Sequence, residues 1–296
     1  MIFKLSHPSV IFLILISIHL TTTILKLIFV PKPATTIRGA RECLHSFTPV
    51  RESDDSFFRR MWPTLHQIVD KCSAKHFKNR FVRYGSGENS IIWLPWLVDH
   101  ETHKCNTVFV LDENNLSMER ELKRNNPKCH VYSVSENHPE VNRFQNPEYS
   151  ILTMKHKMNP KSRQINWGTD HYARDADSMD LVYFLMVQVH RPRFDSINLF
   201  YGGSDQIKLL FTKSPFDDAN LSSCQFNVIY DRPKTRLQRR AFKNTWRRLL
   251  YDRRYLITNV RKLSSGNRIS IFIINISEPY CWAKYVSNFP FIPKNI

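Results

Sequence analysis

Residues 108–136 read VFVLDENNLSMERELKRNNPKCHVYSVSE. An apolar run of strand length enters a polar turn. An amphipathic segment follows, stops at Asn-Asn-Pro, and gives way to a second apolar run. Proline lacks an N–H and disfavours helical geometry in the residue before it, so that stop is local chemistry. Strand, helix and strand at this spacing constrain the segment to a βαβ unit, because two parallel strands need a crossover and a helix is the usual one. The pattern predicts a strand over 107–111, a helix over 116–125 and a strand over 130–134. A glycine-rich loop usually admits a nucleotide-type cofactor at the first turn of such a unit. Here that turn is Leu-Asp-Glu-Asn-Asn, and the whole chain of 296 residues has only 7 glycines.

The rest of the chain continues the alternation. Residues 151–154 form a short strand in this reading, and 176–189 (ADSMDLVYFLMVQV) a helix starting near Asp177 or Ser178. FDSINLFY (194–201) runs into Gly202-Gly203, and SCQFNVIY (223–230) is a further strand. Residues 232–254 carry ten Arg or Lys on a helix whose apolar stripe reads Leu237, Ala241, Trp246, Leu249 and Leu250. Residues 255–260 and 268–276 then pair as a hairpin around SSGN. Upstream, 31–41 reads as a polar linker and 42–72 as a helical lead-in broken at Pro63, closed by the apolar SIIWLPWLV at 90–98. The sum is an α/β fold, a mostly parallel sheet with helices on both faces and a late antiparallel hairpin.

The N-terminal VIFLILISIHLTTTILKLIFV, residues 10–30, approaches the length of about 20 apolar residues that crosses a bilayer. Its second apolar burst and the stop at Pro31-Lys32-Pro33 favour an uncleaved anchor over a cleaved signal peptide. The expected division is 1–34 membrane segment, 35–100 linker and helical lead-in, and 101–296 the α/β body. This places a single-pass membrane protein in the secretory pathway (ER or Golgi), with its body in the lumen.

Six cysteines (Cys43, Cys72, Cys105, Cys129, Cys224, Cys281) suit an oxidising compartment, with fifteen pairings open. None has Cys-x-x-Cys spacing, and His100-Glu-Thr-His103 is no zinc motif, so no metal site is expected. Sequons at Asn115, Asn220 and Asn275 are compatible with a lumenal body. The formal charge of +17 points to polyanionic partners, an anionic glycan or lipid through the basic 232–254 helix. Nucleic acid is not expected for a secretory-pathway chain.

Several segments together resemble the FkbM-type methyltransferases, in particular a nematode-type branch with an N-terminal membrane segment. HKCNTVFVLDENNLSMERELKRNNPKCHVYSVSE is similar to that branch's Cys-Asn, strand, Gly-x-Gly, acidic helix, Pro-x-Cys, strand and acid. MDLVYFLM resembles its helix before the fourth strand, and FDSINLFYGGSDQIKLL stands where it has a strand ending in Asp-x-Glu-Gly-x-Glu. CQFNVIYD, the most specific match, is similar to Cys-Gln-Phe-Asn-Val-Glu-x-His, and RISIFIINISEPYCWAKY to a closing strand with a Cys-x-x-Lys-Tyr tail. The likeness spans about residues 42–286. It implies a class I methyltransferase-like (Rossmann-like) fold, S-adenosylmethionine as cofactor, and O-methylation of a glycan or glycolipid.

The departures fall on the positions that would carry chemistry. Leu111 and Glu113 replace the two glycines of the first loop. Ser135 replaces the acid that would hold the ribose hydroxyls, with Glu136 one position later. Phe200 and Gly202 replace two acids of the fourth-strand motif, whereas Gly203 and Asp205 remain. Ile229 and Asp231 replace a Glu and a His. The resemblance therefore leaves Glu136, Gly203 and Asp205 as cofactor-binding candidates and Asp231 as the candidate base, in a chain that reads as a weak methyltransferase or a pseudoenzyme. Asp175-Ala-Asp177 has the spacing with which Golgi glycosyltransferases share a divalent cation and a diphosphate, and is the remaining enzymatic alternative.

Overall fold

A computed structural model describes residues 33–48, 52–77, 80–95, 104–111, 117–135, 144–146, 151–155, 157–159, 178–200, 207–210, 214–263 and 266–286. Its first two elements are helices, α1 (Pro33–Ser46) and α2 (Asp54–Phe77). Residues 31–41, expected as a linker, thus enter a helix at Pro33, where a missing N–H costs nothing because first-turn donors have no intrahelical partner. The expected break at Pro63 is also absent, and α2 runs through it. Pro63 lies on the exposed side of the helix, so the carbonyl it leaves unpaired faces water. A Cys43–Cys72 disulfide joins the two helices.

A hairpin follows, β1 (Val82–Ser86) and β2 (Asn89–Trp93). Gly85 at φ +83° is required there, since a Cβ would meet Asn89 O at 2.3 Å. The βαβ unit forms where the pattern places it, as β3 (Cys105–Leu111), α3 (Ser117–Asn125) and β4 (Cys129–Ser135). Its strands are parallel, in register from Cys105–Cys129, which is itself a disulfide, to Leu111–Ser135. Next come β5 (Phe144–Asn146), β6 (Ile151–Lys155), and the separate parallel pair β7 (Lys157–Asn159) and β8 (Ser178–Asp180). The helix expected over 176–189 is therefore shorter: a strand to Asp180, one helical turn Leu181–Tyr183, and a π-helical turn Phe184–Val189. His190, at φ 53°, ends it in the left-handed region.

The remaining strands are β9 (Arg193–Leu199), β10 (Ser222–Asp231), β11 (Tyr255–Lys262) and β12 (Arg268–Asn275), with helix α4 (Arg236–Tyr251) between β10 and β11. The main sheet has eight strands in the order β11-β12-β10-β9-β3-β4-β6-β5. Its core, β10-β9-β3-β4-β6, is parallel; β12 is antiparallel to both β10 and β11. The late hairpin thus inserts its second strand between the first and the parallel core.

Alternation along β10 distributes the layers, since successive side chains point to opposite faces. Tyr230 packs edge-on against Phe242 of α4, at 5.5 Å between centroids. Gln225 and Asn227 reach the other way, to the backbone of Leu94 and Ile92. Ser133 of β4 meets Glu119 of α3. Helix α2 packs along β11, where the Ser73 hydroxyl donates to Ile257 O at 3.3 Å. A single apolar cluster unites lead-in and sheet, so the described residues between 35 and 95 share one core with the body.

Helix α4 starts at a capping box, Thr235 accepting from Gln238 N while Gln238 accepts from Thr235 N. Its buried stripe is Phe242, Thr245, Trp246, Leu249 and Leu250. Leu237, expected in that stripe, is 76% exposed. The helical repeat carries position 237 away from the line through 242, 246 and 249. All six cysteines are paired, the third bridge being Cys224–Cys281. Three disulfides indicate an extracellular or lumenal body. Among the described residues no helix is long and apolar enough to cross a membrane, and residues 10–30 lie outside them.

Candidate functional site

Five parallel strands end at one edge of the sheet. From β3 the chain moves outward through β4 to β6, then returns to β3's other flank as β9. In open α/β sheets such a switch point, at the carboxyl ends of the strands, opens the crevice where ligands bind. The described residues on this edge are Leu111 closing β3, Ser135 closing β4, Lys155 closing β6, Leu199 closing β9 and Asp231 closing β10.

Leu111 is 5% exposed and belongs to the apolar core. By alternation it shares a face with Phe109, whose register partner Ser133 bonds α3, so Leu111 stands on the α3 side. Asp231 is exposed, and the ladder to β12 carries it to a pairing with Arg268. The pairing of β10 with β9 ends at Val228–Leu199, so Asp231 stands three residues higher, roughly 10 Å along the strand. Sideways it is two strands from β3, again about 10 Å. Asp231 therefore shares the edge with Leu111 and lies well to one side of the switch point. Glu136, Gly203 and Asp205 lie outside the described residues, as do Glu113, Asp175 and Asp177. Among the described residues no cluster of three or more His, Cys, Asp or Glu could hold a metal ion.

Two buried acids went unremarked in the sequence. Glu119, in the first turn of α3, is fully buried behind this edge. The Ser133 hydroxyl donates to its Oε1 at 2.9 Å, and its Oε2 has no partner among the described residues. Burial raises its carboxyl to about 7, against the smaller opposing effects of backbone and Ser133 hydrogen bonds and of Arg120. The spacing of Glu119 and Leu122, on one helix face with Met118, was the available signal. Asp195 lies at the opposite end of the sheet, near the start of β9, and is 1% exposed. Its carboxylate accepts from Lys284 Nζ (2.5 Å), the Tyr285 hydroxyl (2.6 Å), the Tyr280 hydroxyl (3.2 Å) and Asn106 N (2.8 Å). The Cys-x-x-Lys-Tyr tail is thereby a clamp on the amino ends of the strands, remote from the candidate crevice. Burial and the neighbouring Asp195 push the Tyr280 phenol well above its ordinary range.

The basic segment 232–254 is partly consumed by the fold. Arg239 pairs with Asp55 at 2.8 Å, Lys243 with Asp54 at 3.0 Å, and Arg254 with Asp217 at 2.6 Å. Lys234, Arg236 and Arg240 remain exposed around Leu237. No protein-family model matches the chain, and no curated protein matches it significantly.

Proposed function

We propose that the chain is, by descent, an FkbM-like S-adenosylmethionine-dependent O-methyltransferase with a class I methyltransferase-like body, and that its cofactor edge has degenerated. The observation that carries this reading is the position of Leu111. It closes the first strand of the sheet, beside the switch point, and its side chain is part of the packed core. The family's glycine at that place would leave the space to the cofactor. The antiparallel β12 set between β11 and the parallel core agrees with the late hairpin of that fold. Glycan or glycolipid hydroxyls are the substrate class, Asp231 the base, and Glu136, Gly203 and Asp205 the residual cofactor contacts. The body is lumenal, tethered in the ER or Golgi membrane by residues 10–30.

Titration calorimetry of the full chain in detergent with S-adenosylhomocysteine tests the reading. Weak binding that vanishes in Glu136→Ala or Asp205→Ala supports it; low-micromolar binding by the unaltered chain removes the degeneracy.

One observation favours a second reading, a non-catalytic binding module for anionic glycan or lipid. Lys234, Arg236 and Arg240 surround an exposed Leu237 at the start of α4, an arrangement that solubility alone does not require. Calorimetry with anionic vesicles and with a sulfated oligosaccharide, comparing the chain with its Arg236→Ala/Arg240→Ala variant, tests it.

A further inference from the structure

At the far end of the carboxyl edge, α2 and the β11–β12 turn flank an open pocket of about 310 Å³. Three cations line it from three separate elements: Arg59 of α2, Arg232 just beyond β10, and Lys262 at the end of β11. All three are exposed, and none of their side chains makes an ion pair or hydrogen bond among the described residues. Asp55, one turn before Arg59 on α2, is hydrogen-bonded by Arg239 and acts on Arg59 only through its charge. Phe58, Trp62 and Pro63 form the apolar wall. The Trp62 indole is fixed there by its N–H, which donates to Gly266 O at 3.3 Å, and by Phe58 at 5.8 Å between ring centroids.

Three like charges brought to one concavity repel each other, and Asp55, already bonded to Arg239, offsets this only in part. An anion would. The two guanidinium groups suit a tetrahedral oxyanion, which they hold through paired N–H donors, and the ammonium adds a point charge. The wall suits something else, the C–H face of a ring. The volume is at the small end of ligand pockets, about 300–1,000 Å³, and has room for one charged ring. We infer that this pocket binds a sulfated sugar unit of a glycan, with Arg59, Arg232 and Lys262 on the sulfate and Phe58, Trp62 and Pro63 against the ring. The three disulfides place the body where such glycans are met. The site stands whether or not the switch point binds cofactor, because it shares no residue with it.

Calorimetry on the full chain in detergent, titrated with a heparin-derived tetrasaccharide, tests this. Arg59→Ala, Arg232→Ala and Lys262→Ala should each weaken binding by about tenfold, the loss of one hydrogen bond to a charged group. Arg124→Ala, exposed at the end of α3 and outside the pocket, should change it less than about twofold. Trp62→Leu should weaken the tetrasaccharide while leaving inorganic sulfate unchanged, and the desulfated tetrasaccharide should not bind. All three cations are exposed, so unchanged thermal midpoints will confirm that their variants fold. Unaltered affinity in the pocket variants would overturn the inference. So would equal weakening by Arg124→Ala, or binding to phosphatidylinositol phosphate vesicles in place of the tetrasaccharide.

Discussion

The carboxamide of Asn227 and the peptide group of Ile92 exchange two hydrogen bonds, Ile92 N donating to Oδ1 and Nδ2 donating to Ile92 O, each at 2.9 Å. Gln225 repeats the arrangement two residues earlier, with Leu94, at 2.8 and 3.0 Å. Two side chains on one face of β10 thus give β2 the partners a neighbouring strand would give it. The most specific stretch of the family resemblance, Cys-Gln-Phe-Asn-Val, has a structural task here: its cysteine binds the tail and its two amides bind the lead-in.

Replacing Asn227 with leucine should therefore be costly although leucine suits a strand. It leaves the N–H and C=O of Ile92 buried without partners, at about 1–3 kcal/mol for each group. Asn198 Oδ1 also loses its 2.8 Å donor. Denaturant midpoints with disulfides intact should drop by the equivalent of about 3 kcal/mol or more, and a loss below about 0.5 kcal/mol would show that the ladder is dispensable.

Lys284→Met removes the cation from Asp195, and both side chains are buried, 9% and 1% exposed. Breaking one partner of a buried pair costs about 3–5 kcal/mol, because a charge is left behind. The double variant Asp195→Asn/Lys284→Met should recover most of that loss, since no buried ion remains. If the double variant is as unstable as the sum of its parts, the pair has no mutual interaction to lose.

Glu119 makes stability depend on pH. Its carboxyl sits at about 7 in the fold against an ordinary 4.5, so between those values the folded chain binds more protons than the unfolded one. Stability is then highest below about pH 4.5 with respect to this group, and falls as pH rises through 7. The full fall is about 3 kcal/mol at 1.36 kcal/mol per unit. Glu119→Gln keeps an acceptor for Ser133 and cannot ionise, so it should flatten this part of the profile and be the more stable protein at pH 8. An unchanged slope between pH 5 and 7 in the variant would assign it to other groups.

Of the sequons, Asn220 and Asn275 have opposite surroundings. Asn220 is exposed in the turn before β10. Asn275 is 5% exposed, and its Oδ1 accepts from Ser277 N, Ser277 Oγ and Glu278 N at 3.1–3.2 Å. A glycan is bulky and needs surface. In a secretory host, peptide mass mapping should find Asn220 occupied and Asn275 bare; the reverse would mean that the C-terminal strand is not packed as described.

Legibility followed the range of the forces involved. Residues 107–135 were readable because strand, helix and stop are each set by neighbours in sequence. The late hairpin was readable for the same reason. Pro33 and Pro63 misled because proline's effect depends on whether its missing N–H would have had a partner and whether the freed carbonyl meets water, and only tertiary placement decides that. Leu237 misled because a leucine near a basic helix's start fits a stripe on paper, while the helical repeat excludes it. The roles of Gln225, Asn227, Asp195 and Glu119 were not readable at all. Their partners lie 131, 135, 89 and 14 positions away, and the pairing is made by the sheet. At the candidate crevice the departures from the resemblance were plain in the sequence, but the packing of Leu111 into the core was not.

That packing sets up the last test of the proposed reading. Leu111→Gly and Glu113→Gly restore the family's loop and should act differently. Glu113 would set a negative charge against the carboxylate of S-adenosylmethionine, a repulsion on the order of one to a few kcal/mol in a partly desolvated site. Its removal should strengthen S-adenosylhomocysteine binding by about tenfold per 1.4 kcal/mol recovered. Leu111→Gly opens space as well, but empties a core position, and large-to-small changes in cores cost about 2–5 kcal/mol. Its gain in affinity should come with a lower melting temperature, and saturating ligand should restore part of that stability by binding only the folded state. The degenerate reading thus requires a crossed pattern: affinity gained at both positions, stability lost at 111 alone, and the 111 loss partly recovered by ligand. If neither substitution changes S-adenosylhomocysteine affinity while the unaltered chain already binds it, the turn holds the cofactor by another geometry and the protein is an intact methyltransferase.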